Sequence, residues 1–410
     1  MKGILVIADG LGGRPTDYKG KTCLQAARTP HLDALAHRGA TGLLDPVTPG
    51  VRPGSDVAHL SILGYDPYCE YPGRGVFEAA GAGLDVQSGD ICFRTNFATV
   101  DEDFIVLDRR AGRIESGQDQ LEAALQEIQL VSDPDVKILF RVSTEHRGAL
   151  ILRGEGLSAN VSEADPHKKG KRVLEIHPLD NCIESRKTAK LLNELIEESH
   201  TKLKKIPFNV RREKSGKPPA NILLPRGASS MPNLLSVNEK FGVRGCVIAG
   251  GALYRGIGKI VGLMPIQVEG ATGGLDSNLN NKIKAALKAL KTQDFVFIHM
   301  KGTDTAGHDH DAKAKISFIE KIDTAIGILD EKLDWEETHF AFTGDHCTPI
   351  DYGDHTAEPV PLLLAGPAVM SDDVDKLDEK SAQYGGLGRI SGNVLPMLAS
   401  LNNWLPKFGA

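Results

Sequence analysis

The chain has no long hydrophobic run. Its N-terminal MKGILVIADG holds only a short apolar stretch before Asp9, too short for a signal-peptide core or a membrane span, and no later stretch comes closer. It carries no strong charge of either sign. A formal net charge of −6 over 410 residues gives no electrostatic reason to expect nucleic acid or an anionic membrane as a partner. There is no CxxC: Cys23, Cys69, Cys92, Cys182, Cys246 and Cys347 are scattered, which fits free thiols in a reducing cytoplasm rather than disulfides or a zinc knot. Only Cys347, beside His346, stays open as a metal contact. No internal repeat and no low-complexity segment is present. Nucleotide fingerprints are absent too. ADGLGGRP (8–15) is not GxGxxG, and neither it nor RGIGK (255–259) has the Lys-Ser/Thr of a P-loop.

What remains is an ordinary globular composition, 41% apolar and 25% charged, in a chain long enough for two domains. Short apolar runs alternate with helical patterns, which argues α/β. GILVIAD (3–9), DFVFIHMKGTD (294–304) and THFAFTGDH (338–346) read as strands buried on both faces of a parallel sheet. Each run delivers an acidic residue toward its carboxyl end, where such sheets bind ligands. The middle of the chain differs. CFRTNFATV (92–100), KILFRVS (137–143) and GALILRG (148–154) are separated by polar loops and a charged helical stretch at 184–205. HKKGKR (167–172) and RREKSGKPP (211–219) read as exposed loops. The expected organisation is a discontinuous catalytic domain, 1–74 and 232–410, interrupted by a smaller α+β domain at 75–231.

The chemistry-bearing residues fall at the predicted strand ends. Asp304 and His308 are four apart, on one face if helical. Asp345 and His346 are adjacent, and His355 follows on a Gly- and Pro-punctuated loop. With Asp9 they make six carboxylate and imidazole donors, a set that suits divalent ions. Six are too many for one open catalytic ion and suit two ions sharing a site. Paired ions stabilise both oxygens of an in-line phosphoryl displacement. Such a site needs a nucleophile. In VRPGSDVAHL (51–60), Ser55 stands at a helix start. Taken alone it reads as a helix cap. Beside a two-metal site it reads as a hydroxyl presented where phosphate binds well, at a helix N-terminus.

LVIADGLGG, RPGSDVAHLSILGYDP, FRTNFATVD, DFVFIHMKGTDTAGHD and FTGDHCTPIDYGDHTAEPVPLLLAG, with the closing GLGRISGNVLPMLASL, together resemble the archaeal-type cofactor-independent phosphoglycerate mutases of the alkaline phosphatase superfamily. The resemblance spans nearly the whole chain. It implies an alkaline-phosphatase-like, mostly parallel sheet flanked by helices, with the inserted domain acting as a substrate-binding lid. It implies cytoplasmic interconversion of 2-phosphoglycerate and 3-phosphoglycerate in glycolysis and gluconeogenesis, through a phosphoserine intermediate and without 2,3-bisphosphoglycerate. Two divalent ions are implied, Mn²⁺ first, with Mg²⁺, Zn²⁺ or Co²⁺ as alternatives. Asp9, Ser55, Asp345 and His346 are similar to one ion's ligands. Asp304, His308 and His355 are similar to the other's. ADPHKKG (164–170) resembles the family's substrate-side segment, so Asp165 and His167 are candidates for proton transfer. Arg94, Arg147, Arg226 and Lys259 are the cationic candidates for holding phosphate and carboxylate. The partner expected is a small phosphoglycerate substrate, with no nucleic acid and no membrane; self-association stays open. The alternative on the same site is a metal-dependent phosphatase, phosphopentomutase or phosphonate hydrolase. The sulfatase branch is excluded, because PGSDVAH lacks its C/S-x-P-x-R motif. A nucleotide-binding or non-catalytic metal-binding protein is the alternative of another class.

Overall fold

The three apolar runs become the three central strands of one sheet, Thr338–Gly344, Lys2–Ala8 and Phe295–Met300, side by side and parallel. The computed structural model of the chain describes residues 1–407 and 409. Two compact units divide it: Met1–Tyr71 with Leu234–Ala410, and Pro72–Asn233. The breaks fall a few residues from those expected at 74/75 and 231/232.

In the discontinuous unit, the eight-stranded sheet runs in the order Gly388–Ser391, Ala40–Asp45, Val360–Ala365, Thr338–Gly344, Lys2–Ala8, Phe295–Met300, Gly245–Ile248, Met264–Pro265. Only Val360–Ala365 runs against its neighbours. Ile4, Val6, Ile298 and Phe342 are fully buried, because helices cover the sheet and the pleat leaves no wet face. The helices Pro30–His37, Leu279–Ala289 and Ala312–Lys332 supply that cover. The parallel register brings the ends of the three central strands level, with Ala8 opposite both Met300 and Gly344. Whatever follows those residues is therefore gathered at one edge.

The inserted unit is built on five antiparallel strands, with Ile91–Val100 pairing Val106–Asp108, Arg147–Arg153 and Ile222–Ser230, and Lys137–Thr144 outside Arg147–Arg153. The helix Ile183–Leu203 lays Leu192 and Leu195 on its core, beside the edge-to-face pair Phe97 and Phe140 at 5.6 Å. One expectation fails here. RREKSGKPP is not wholly loop: the helix Pro207–Lys214 takes its first half, started by a proline at the first helical position. Among the described residues, no helix is long and apolar enough to cross a membrane.

Candidate functional site

Asp9 and Asp345 come directly after their strands, and Asp304 lies on the short helix Gly302–His308 that follows the third. The turn after Asp9 requires glycine. Gly10 has φ 64°, and a Cβ there would lie 2.6 Å from Thr348 Oγ1 and 2.8 Å from the Asp304 backbone. That close approach packs the three acidic positions together. The structure brings all six predicted donors and Ser55 into one cluster. His346 Nε2 is 3.4 Å from Asp9 Oδ1, 3.4 Å from Asp345 Oδ2 and 3.2 Å from Ser55 Oγ. His308 Nε2 and His355 Nε2 are 3.4 Å and 3.5 Å from Asp304 Oδ1. Two groups, Asp9–Asp345–His346 and Asp304–His346–His355, each hold three donor atoms within 4.8 Å of one another.

Ser55 is not the helix cap. Gly54 is, and the Ser55 side chain makes no capping bond; it occupies the first turn of Ser55–Ile62. Asp56 is the first-turn acid and accepts from Tyr71 Oη at 2.6 Å. Cys347 is not part of the donor cluster either. Its buried Sγ turns to the carbonyls of Glu358 and Pro359, 3.4 and 3.7 Å away.

The hydrogen bonds settle which histidine nitrogens carry protons. Thr348 Oγ1 is 2.8 Å from Asp304 Oδ1 and 3.1 Å from His346 Nδ1. The carboxylate only accepts, so the single hydroxyl proton goes to Asp304, and His346 Nδ1–H donates to Thr348. Burial pushes the His346 pKa down to about 3, with His355 adding to it, so the ring is neutral and its Nε2 is a bare lone pair. His308 Nδ1 donates to Gly353 O at 2.8 Å and His355 Nδ1 to Pro53 O at 2.9 Å, which leaves their Nε2 atoms bare in the neutral rings. The Nε2 atoms of three imidazoles thus face carboxyl oxygens of Asp9, Asp345 and Asp304 at 3.4 to 3.5 Å. Asp9 Oδ1 and Asp345 Oδ2 are buried without a hydrogen-bond partner. Donors arranged this way repel one another unless a cation sits among them, so the residues fit divalent ions.

Four participants escape a reading of motifs. Lys301, at the end of its strand, places Nζ 3.1 Å from Asp9 Oδ2 and 2.5 Å from Asp304 Oδ2. Burial alone would raise the Asp9 carboxyl, but Lys301 and the hydrogen bond from His299 hold it well below the usual range. For Asp345, burial and the Asp9 charge outweigh Lys301 and the Gly10 N–H, and push its carboxyl well above that range. His299 Nε2 donates to Asp9 Oδ2 at 2.8 Å and its ring stacks on Tyr254 at 3.4 Å. His59 Nδ1 donates to Ser55 O at 2.6 Å. Thr348 completes the set. The available signals were positional: a lysine ending an apolar run, and a histidine one helical turn after Ser55.

The inserted unit carries a separate group. Arg94 and Arg226 are cross-strand partners, and the Nε of each is buried with no hydrogen-bond partner. Burial, then the Arg74 charge, lowers the Arg94 pKa to about 9. Glu78, buried on the helix Gly75–Gly81, pairs with Arg74 at 3.0 Å and Arg94 at 3.6 Å. Arg147 is exposed nearby, and its charge helps hold the Glu78 carboxyl low against burial. Asp165 accepts two bonds from Arg109, at 3.2 and 2.8 Å. Burial would raise its carboxyl, but Arg109 and the His167 N–H lower it overall. A carboxylate held in this way is a poor proton donor. His167 is exposed, with Nε2 3.1 Å from Glu163 and Nδ1 3.3 Å from Arg109. Lys259 is exposed in the last turn of Ala252–Ile260, the helix from which Tyr254 stacks on His299.

A family model described as 2,3-bisphosphoglycerate-independent phosphoglycerate mutase matches residues 36–209. The chain is 48% identical to a 2,3-bisphosphoglycerate-independent phosphoglycerate mutase of Methanococcus maripaludis, with 100% of both chains covered. It is 47% identical to 2,3-bisphosphoglycerate-independent phosphoglycerate mutase 1 of Methanocaldococcus jannaschii, over 100% of this chain and 99% of the relative. A solved structure from Pyrococcus horikoshii is similar at TM-score 0.85 and 39% identity, covering 100% of this chain and 99% of that one. A cofactor-independent phosphoglycerate mutase from Thermoplasma acidophilum is similar at TM-score 0.71 and 33% identity, covering 98% and 100%.

Proposed function

The chain belongs to the 2,3-bisphosphoglycerate-independent phosphoglycerate mutase family, and we propose that it interconverts 2-phosphoglycerate and 3-phosphoglycerate through a phosphoserine at Ser55. The observation that carries this reading is Ser55 Oγ, 3.2 Å from His346 Nε2, at the start of a helix and among carboxylate and imidazole donors. Asp9, Asp345, His346 and Ser55 would hold one divalent ion, and Asp304, His308 and His355 another, with Mn²⁺ as the first candidate. Bound there, such ions supply Lewis-acid stabilisation of phosphoryl charge and acidify a hydroxyl.

The chain's own residues account for the rest. Ser55 Oγ attacks phosphorus; the bond to the substrate oxygen breaks as the bond to serine forms. The first-turn N–H groups of Ser55–Ile62 have no partner within the helix and suit phosphoryl oxygens. Glycerate must then be retained, turn, and attack phosphoserine through its other hydroxyl. Arg94 and Arg226 suit that retention, because each has a buried Nε without a hydrogen bond and a guanidinium binds carboxylate or phosphate in bidentate fashion. His167 is the better proton carrier of the two residues expected for that role, since Arg109 keeps Asp165 ionised. Closure of the inserted unit as a lid would exclude the water that otherwise hydrolyses phosphoserine.

Incubation with 3-phosphoglycerate and Mn²⁺ should yield 2-phosphoglycerate, followed by phosphorus NMR, without stoichiometric free phosphate. Phosphate as the main product would make the enzyme a phosphatase and overturn the reading. A second measurement concerns the metal count. His308→Ala should lose one equivalent of bound metal by elemental analysis of desalted protein, and an unchanged count would remove His308 from the ligands.

A further inference from the structure

One carboxylate beside the donor cluster belongs to none of the ligand sets described above. An oxygen of Asp354 lies within 4.8 Å of donor atoms of both His308 and His355. Its Oδ2 is instead paired with Arg52, and its Oδ1 accepts the His355 N–H at 2.8 Å. Arg52 also donates to Tyr352 Oη at 3.2 Å and lies over that ring, 5.3 Å from the centroid.

The backbone around Asp354 is tied down on both sides. His308 Nδ1 holds Gly353 O, His310 Nδ1 holds Ile350 O at 2.7 Å, and His355 Nδ1 holds Pro53 O. Gly353 has φ 67°, and a Cβ there would lie 2.2 Å from the His310 ring, so this turn is specific to glycine. The Asp354 side chain is 55% exposed. Release of the Arg52 pair would free Oδ2 to turn toward the two imidazoles by a side-chain rotation, while the backbone stays held.

Charge supplies the reason for it to do so. Asp304 is the only carboxylate facing His308 Nε2 and His355 Nε2 in the set inferred above. Both of its oxygens are already engaged, Oδ2 by Lys301 and Oδ1 by the Thr348 hydroxyl. A divalent ion there meets two neutral imidazoles and a carboxylate whose charge is offset by an ammonium. A further anion would strengthen such a site, and Asp354 is within reach.

We propose that Asp354 is a further ligand of the Asp304–His308–His355 site, and that Arg52 is the counter-ion it gives up when the cation binds. The proposal rests on the reading that this cluster binds a divalent ion. The two partners of one ion pair should then respond with opposite sign. In calorimetric titration of the chelator-treated full-length chain with Mn²⁺, Asp354→Asn should weaken one site about 10-fold or more, in line with the loss of a ligating contact. Arg52→Met should tighten the same site roughly 2- to 5-fold, the range expected when an exposed competing ion pair is removed. The double variant should match Asp354→Asn. If the pair only ties two loops together, both single variants weaken binding, and the proposal is overturned. An unchanged affinity in Asp354→Asn overturns it as well. A wild-type chain that binds no Mn²⁺ sinks the metal-site reading itself, and this proposal with it.

Discussion

Ser55→Ala is expected to lower mutase turnover by at least about 10⁴-fold, a loss of the size seen when a covalent nucleophile is deleted, while the Mn²⁺ count stays unchanged. The structure makes the experiment clean. A serine that capped its helix would cost about 1 kcal/mol on replacement by alanine. Ser55 makes no capping bond, because Gly54 holds the cap position, and alanine suits the first helical turn. The melting temperature should therefore barely move, so lost activity cannot be laid to unfolding. Metal should remain, because Asp9, Asp345 and His346 are still in place. The measurement is a coupled assay alongside elemental analysis and a thermal melt. Turnover within 10-fold of wild type in the variant would rule out the phosphoserine route.

The second large effect is on stability, and it depends on metal. Lys301→Met should destabilise the metal-free protein by about 3–5 kcal/mol, the cost of removing one partner from a buried charge pair. Lys301 Nζ touches Asp9 Oδ2 and Asp304 Oδ2, and both carboxylates are buried. Burial alone would lower the ammonium's pKa, yet Asp9, Tyr254 and Asp304 outweigh it and hold it well above its usual value. Methionine keeps the apolar stem and removes the charge. Two buried anions then face each other with only the His299 and Thr348 donors for relief. Saturating Mn²⁺ should recover most of the loss, because positive charge returns to the same oxygens. Unfolding midpoints of wild type and variant, each with chelator and with Mn²⁺, test this. Equal losses in both conditions would show that Lys301 matters by packing alone.

These two residues mark where a reading of the sequence stops. Ser55 is legible: PGSD ahead of an apolar helical pattern, in a chain with acids at three predicted strand ends, points to a presented hydroxyl. Lys301 is not, because one lysine after an apolar run resembles any surface charge until its strand is set beside Lys2–Ala8. Asp165 shows the same limit. Its segment resembles a proton-transfer site, but Arg109, 56 residues away, commits it as an anion. Tyr254 shows it too: nothing in its local sequence marks the residue whose ring stacks on His299.

By itself the sequence determined what depends on local pattern and strand period: buried parallel strands, the acids and histidines that follow them, and the motifs that place the chain in its family. Only the tertiary structure decided the protonation of the site. His346 Nε2 is bare because Thr348 serves Asp304, and His355 Nε2 is bare because Nδ1 is spent on Pro53, 302 residues away. A tautomer is set by the partner of the opposite nitrogen, and at this site the fold supplies that partner from remote parts of the chain.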